Sequence, residues 1–261
     1  MPHETDGLAL SLIGIGSGDP EQLTLAAIRA INAADLVLVP RKGEAKSDLA
    51  DLRRTICAQV LTSANTRIAE FDLPIRDAAR DDYLKGVGDW HDAVAAAWSR
   101  AIATHLGRAG HVALLVWGDP SLFDSSLRIA ERLTPRPVVK VVPGITSIQA
   151  LCATHTLPLN EIGQPFVVTT GRKLRENGWP PGIDTVVVML DGGAAFQSLD
   201  PEGLQIWWGA YLGMPDEIIM SGQLAETGSA IVAARSAARA RHGWIMDTYI
   251  LRRISLTTSP G

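Results

Sequence analysis

Three turns hold the residues best suited to chemistry: G-I-G-S-G-D-P (14–20), W-G-D-P-S-L-F (117–123) and V-P-G-I-T-S (142–147). Each follows an apolar run, and each has a glycine at which backbone can approach a ligand closely. Phosphate chemistry is disfavoured at the first. A dinucleotide fingerprint reads G-x-G-x-x-G, whereas Gly14, Gly16 and Gly18 alternate and Asp19 takes the third fingerprint position. A carboxylate there repels a pyrophosphate at a helix N-terminus, and no Walker lysine follows. Two readings stay open. Asp19 caps a helix that starts at Pro20, or the turn faces a ligand that carries no phosphate.

The other reactive side chains read mostly as structure. Cys57 and Cys152 lack metal-ligand spacing and read as buried small apolar residues. His155 and His242 are the better placed of the six histidines, and a satisfied structural imidazole is the favoured state of both. Arg235, Arg239 and Arg241 end a helical stretch and read as dipole and solubility residues. The tryptophans read as core, except Trp117 in its turn.

The elements that position these turns alternate. Residues 8–16 read as a buried strand, and 35–40, 111–120 and 138–144 as further strands. Residues 20–34, 49–61, 90–107, 121–133 and 145–155 read as helices. Continuous apolar strands separated by helices imply a mostly parallel sheet covered on both faces. The turns then lie at carboxyl ends of strands, where open α/β sheets bind ligands. After the linker-like TLPLNEIGQP (156–165), closely spaced strands at 185–191, 204–212, 217–226 and 243–256 imply a mixed sheet, with a helix near 229–241. The expected architecture is two α/β domains, residues 1–155 and 156–261. Composition is that of a soluble globular protein, 46% apolar and 20% charged, with net charge −4. That charge argues against a nucleic-acid partner. The acidic start and the lack of a membrane-length apolar run point to the reducing cytoplasm, with no membrane partner.

G-I-G-S-G-D-P-E-Q-L-T-L, A-D-L-V-L-V-P, G-D-P-S-L-F and V-P-G-I-T-S, in this order and spacing, resemble the tetrapyrrole (corrin/porphyrin) methyltransferases. The resemblance covers most of the chain and is densest over residues 8–150. Residues 41–57, V-V-V-M-L-D-G (186–192) and R-H-G-W-I-M-D-T-Y (241–249) are most similar to the branch that methylates precorrin-5 at C-1, releasing acetate and giving precorrin-6A in cobalamin biosynthesis. The resemblance implies a homodimer that binds S-adenosylmethionine (SAM) in a cleft between two α/β domains and leaves S-adenosylhomocysteine. It implies cofactor contacts at Ser17, Trp117, Gly118, Asp119, Leu122, Thr146, Ser147, Met189, Leu190, Tyr211 and Leu212. Family members usually carry proline where Ser17 stands, and many carry Tyr-Asp where this chain has Val39-Pro40, so no base carries over to that position. Trp207 and Trp208 suit a buried dimer interface. No metal is implied.

A precorrin is a wide polycarboxylated ring and needs arginine and lysine around it. Arg41, Lys42 and Lys46, with Arg53 and Arg54 beyond, and Arg172 with Lys173 and Arg175, are the candidates. Each alone also reads as solvated surface charge. Deacetylation needs a group that orients water. Glu44, between Arg41-Lys42 and Lys46, is the candidate base, because nearby cations hold it ionised; pairing with those cations is the competing reading. Other functions stay open on the same fold: another corrin or porphyrin position, an RNA ribose or diphthamide acceptor, or SAM or tetrapyrrole binding without turnover. A nicotinamide oxidoreductase fails on the glycine spacing.

Overall fold

The apolar run at the start folds as β1 (Leu8–Gly14), an inner strand of a five-stranded sheet. A computed structural model of the chain describes residues 7–41, 47–75, 83–107 and 109–254. They fall into two compact units, Met1–Thr146 and Ser147–Gly261.

The first unit continues with α1 (Leu25–Asn32), β2 (Leu36–Arg41), α2 (Ser47–Val60), β3 (Arg67–Asp72), α3 (Tyr83–His105), β4 (Gly110–Val116), α4 (Ser126–Ala130) and β5 (Val138–Val142). All its strand pairs are parallel, in the order β3-β2-β4-β1-β5. Alternation along the strands fills both faces. Leu10 and Leu12 of β1 pack with Trp98 of α3 and Ile129 of α4. Ile13 packs in a second cluster with Ile31 of α1 and Ile56 and Cys57 of α2. Burial pushes the Cys57 thiol up to about 11, so it is an apolar core group, as its sequence context implied.

The stretch read as one helix over 20–34 is two elements. Asp19 caps a 3-10 turn, Pro20–Gln22, by accepting from the Glu21 amide at 2.8 Å. Thr24 then caps α1 by accepting from the Ala27 amide at 3.0 Å. Two further helices of this unit depart most from the sequence reading: α3 begins seven residues earlier, at Tyr83, and α4 spans only 126–130.

His91 of α3 is buried, and its Nε2 has no hydrogen-bond partner among the described residues. Burial, and then the charges of Arg132 and Arg128, lower its pKa against the pull of Asp92. The sign follows. Below the unfolded value of about 6.5, the unfolded chain takes up a proton that the folded imidazole resists, so stability falls with acidification. Thermal melts from pH 7.5 to 5.5 should therefore fall more steeply for the wild type than for His91→Leu. Parallel curves for the two proteins would remove His91 as a source of the pH dependence.

The second unit runs α5 (Ser147–Thr154), β6 (Phe166–Thr170), α6 (Gly171–Asn177), β7 (Thr185–Met189), β8 (Leu204–Ala210), β9 (Ile218–Gln223), α7 (Leu224–His242) and β10 (Asp247–Arg253). Its sheet order is β6-β7-β10-β8-β9, with β6 and β7 parallel and the other pairs antiparallel. This is the mixed sheet expected. The segment 156–165, read as a linker, is held to this unit by Arg252. Its guanidinium donates to the carbonyls of Pro158 and Leu159 and pairs with Glu161.

Candidate functional site

In the first unit the chain leaves two adjacent strands in opposite directions. From β1 it passes through α1, on one face, to β2. From β4 it passes through α4, on the other face, to β5 on the far side of β1. The gap at the carboxyl ends of β1 and β4 is therefore a topological switch point, the position at which open α/β sheets hold ligands.

Three glycines make that end of the sheet possible. A Cβ on Gly14 would lie 2.6 Å from the Gly144 nitrogen and 2.7 Å from the Gly118 carbonyl oxygen. A Cβ on Gly144 would overlap the same oxygen and lie 2.7 Å from the Gly14 carbonyl carbon. The turns after β1, β4 and β5 thus meet backbone against backbone. The Gly118 amide donates to the Gly16 carbonyl at 2.8 Å. Gly118 itself has a φ of +64°, and the nearest atom to a Cβ there is Thr146 Cα at 3.8 Å. Its front is open.

Asp119 ties the turns together. Its carboxylate accepts from the Ser121 amide at 2.8 Å, from the Ser121 hydroxyl, and from the Gly144 amide at 2.9 Å. Burial opposes its ionisation, but the bonds from Ser121 and Gly144 hold its pKa below the usual range. Of the roughly four acceptor positions of a carboxylate, the described residues leave one, on Oδ2. Ser17 is buried, and its amide and hydroxyl both donate to Gln22 Oε1, at 2.8 and 3.0 Å. Gln22 therefore sets the shape of the first turn. Leu122 is half-buried, and its amide donates to the Asp119 carbonyl at 3.2 Å. Trp117 packs against the α1–α2 face, and its Nε1 is enclosed without a partner among the described residues.

The cation clusters are mostly matched by acids. Arg41 lies 2.9 Å from Asp72 and 3.6 Å from Glu70, and Arg54 pairs with Glu70 and Asp51. Arg53 is more enclosed. It donates to the Leu115 carbonyl at 3.0 Å, and burial, opposed by Asp124, brings its pKa down to about 10. Lys42, Glu44 and Lys46 lie outside the described residues.

In the second unit, Ser147 opens α5 and its hydroxyl lies 2.9 Å from that of Thr248. Met189 ends β7, and Leu190 follows with a φ of +51° and 65% of its surface exposed. Tyr211 also has a positive φ, +53°. It is buried with Leu212, and its hydroxyl donates to the Trp244 carbonyl at 2.6 Å. Left-handed backbone at such residues is strained and concentrates at functional turns. Arg172 lies in the first turn of α6, 3.9 Å from Glu176.

Asp191, unnoticed in the sequence, anchors the turn after Leu190. Its carboxylate accepts from Arg175 at 2.8 Å, the Gly193 amide at 3.0 Å, the Ala195 amide at 2.5 Å and the Tyr249 hydroxyl at 2.7 Å. Burial opposes its ionisation, but these bonds keep its pKa low. Two sequence readings are corrected here. Arg235 is not a solubility residue: it is buried and paired with Asp247 at 2.7 Å. It lies on the inner side of α7, which the run of arginines and alanines concealed. Trp208 is not available to a dimer interface. It is fully buried within the chain and donates to Asp247 at 2.8 Å, because alternation along β8 turns it inward and Trp207 outward. His155 and His242 are structural as expected: one lies 3.2 Å from the Trp208 carbonyl, the other against the Tyr211 ring.

Among the described residues no group of three or more His, Cys, Asp or Glu is placed to hold a metal ion, and no helix is long and apolar enough to cross a membrane.

The family model for tetrapyrrole (corrin/porphyrin) methylases matches residues 9–228. The chain is 48% identical over 246 residues to precorrin-6A synthase (deacetylating) of Sinorhizobium sp, spanning 93% of this chain and 94% of that protein. It is 27% identical over 178 residues to the S-adenosyl-L-methionine-dependent uroporphyrinogen III methyltransferase, chloroplastic, of Arabidopsis thaliana, 68% of this chain and 41% of that one. The crystal structure of the cobalamin synthesis related protein (CobF) from Corynebacterium diphtheriae aligns with a TM-score of 0.80 at 36% identity, covering 95% of this chain and 100% of that one.

Proposed function

The chain belongs to the tetrapyrrole (corrin/porphyrin) methylase family, and on that premise we propose that it methylates precorrin-5 at C-1 with SAM as donor, releasing acetate and giving precorrin-6A in cobalamin biosynthesis. The observation that carries this reading is the 48% identity, sustained over nearly the whole of both chains, to a deacetylating precorrin-6A synthase.

The turns of the first unit fit SAM on chemical grounds. SAM has an ammonium group, ribose hydroxyls and an adenine, and no phosphate. The open front of Gly118, the free acceptor position on Asp119 and the acid at Asp19 suit such a molecule and repel a phosphate. In the first unit the proposed contacts are Ser17, Trp117, Gly118, Asp119, Leu122 and Thr146. In the second they are Ser147, Met189, Leu190, Tyr211 and Leu212. When bound, SAM supplies an electrophilic methyl group. The protein's share is alignment, worth up to ~7–11 kcal/mol in favourable systems, and exclusion of water. Arg41, Lys42, Lys46 and Arg172 are proposed to meet the substrate's carboxylates. Glu44 is proposed to accept a proton from the water that attacks the acetyl carbonyl.

Mass analysis after incubation with SAM and precorrin-5 tests the reading. The expected product has gained a methyl and lost an acetyl group. A product methylated elsewhere, or no turnover, overturns the assignment. In the Glu44→Gln variant, a methylated product that keeps its acetyl group would support the base role, and normal acetate release would end it. Gly118→Val should bind SAM at least tenfold more weakly in calorimetry, since a branched side chain fills the open front; wild-type affinity would remove Gly118 from the site. We also propose a cytoplasmic homodimer, and a monomeric mass by light scattering at micromolar concentration would count against that assembly.

A further inference from the structure

One buried guanidinium in the second unit joins Asp247 of β10 to the residue that follows Leu190. Arg235, on the inner side of α7, donates through Nε to Asp247 Oδ2 at 2.7 Å and through Nη2 to Asp247 Oδ1 at 3.3 Å. Nη2 also donates to the backbone carbonyl of Asp191. That carbonyl closes the residue next to Leu190. Asp247 opens β10, where it pairs with Ala210, the residue before Tyr211. Neighbouring contacts complete the hold on that side. The Tyr211 amide donates to the Met246 carbonyl at 3.0 Å, and Trp208 Nε1 donates to Asp247 Oδ2 at 2.8 Å.

We propose that Arg235 is a positioning residue for SAM binding, fixing the turn at Met189–Leu190 relative to the turn at Tyr211–Leu212. The role rests on the functional reading given above, in which these turns contact SAM. Three observations carry it. The side chain is 9% exposed and its partner Asp247 3%, so the pair is shielded from water. The guanidinium touches one turn through the Asp191 carbonyl and reaches the other through Asp247, which pairs in the sheet with Ala210 beside Tyr211. Both turns also hold a non-glycine residue at positive φ, +51° at Leu190 and +53° at Tyr211, a conformation that surrounding structure must maintain. A planar fork with fixed donor directions suits this task, whereas an ammonium offers a single point of contact.

The test compares Arg235→Lys with the double variant Arg235→Met/Asp247→Asn, which removes the clamp without leaving a buried lone charge. In both, the KM for SAM should rise about tenfold while kcat at saturating SAM stays within about threefold and the KM for precorrin-5 is unchanged. The Arg235→Lys variant, which keeps the charge, should be the less affected in melting temperature yet show the same split. Wild-type SAM affinity in a folded Arg235→Lys protein overturns the role. Equal losses in kcat and in both KM values also overturn it, because they would mark a general loosening of the fold. A wild-type protein that binds no SAM in calorimetry overturns the functional reading itself, and this role with it.

Discussion

The Gly144→Ala substitution should abolish measurable SAM binding and lower the melting temperature by several degrees. The added methyl has nowhere to go. It would overlap the Gly118 carbonyl oxygen and lie within 2.8 Å of two backbone atoms of Gly14. Both obstacles are main chain at strand ends, so neither can rotate away. Overpacking of this kind costs ~1–3 kcal/mol, and in a protein of this size each 1 kcal/mol shifts the melting temperature by ~2–4 °C. The larger effect falls on binding, because the three turns can accommodate the methyl only by separating. Gly118→Ala is the control. Its Cβ would make only an ordinary contact, 3.8 Å from Thr146 Cα, so its cost is confined to holding alanine at a φ of +64° and it should lose less stability. Calorimetry decides: wild-type SAM affinity in the Gly144→Ala protein would show that the glycine junction does not support the site.

Asp191→Ala should be the most destabilising single change in the second unit. It removes the acceptor for four donors, one of them the Arg175 guanidinium. The Arg175 side chain is 38% exposed and is rehydrated, but the Ala195 amide and the Tyr249 hydroxyl are buried, and a buried polar group left without its partner costs ~1–3 kcal/mol. Gly171 reinforces the point, since even a methyl there would collide with the Asp191 carboxyl group. Urea unfolding is the measurement. Asp191→Asn, which keeps the shape and one acceptor oxygen, should fall between wild type and alanine. A loss below about 1 kcal/mol for alanine, within the ordinary range for a single hydrogen bond, would show that the network contributes little.

The sequence revealed the turns better than the struts between them. Gly-Asp-Pro after an apolar strand is a local signal, and the strands β1, β4 and β5 were legible for the same reason. The strand β3 was not read. Only Ala69 and Phe71 point into its core, too few for an alternating pattern to register. The start of α3 was hidden by Gly86 and Gly88, residues that disfavour helix. The clamp was illegible for another reason. The partners of Arg235 lie 44 residues upstream and 12 downstream, and nothing near α7 distinguishes this arginine from Arg239 or Arg241. The pairing of Ser17 with Gln22 is a middle case. Its spacing is local, but a buried serine–glutamine contact has no periodic signature.

The position of β1 has a consequence for how the chain folds. It lies between β4 and β5, paired to strands that begin at Gly110 and Val138. The strand made first is thus flanked by the last two of its sheet, and none of its pairing can form until the chain has been made as far as Gly110. Such long-range closure slows folding. Meanwhile an apolar segment that includes Leu10, Leu12 and Ile13 waits unpaired, the state in which nascent chains are most open to aggregation. The topology that creates the crevice between β1 and β4 is therefore the same one that delays completion of this sheet during synthesis.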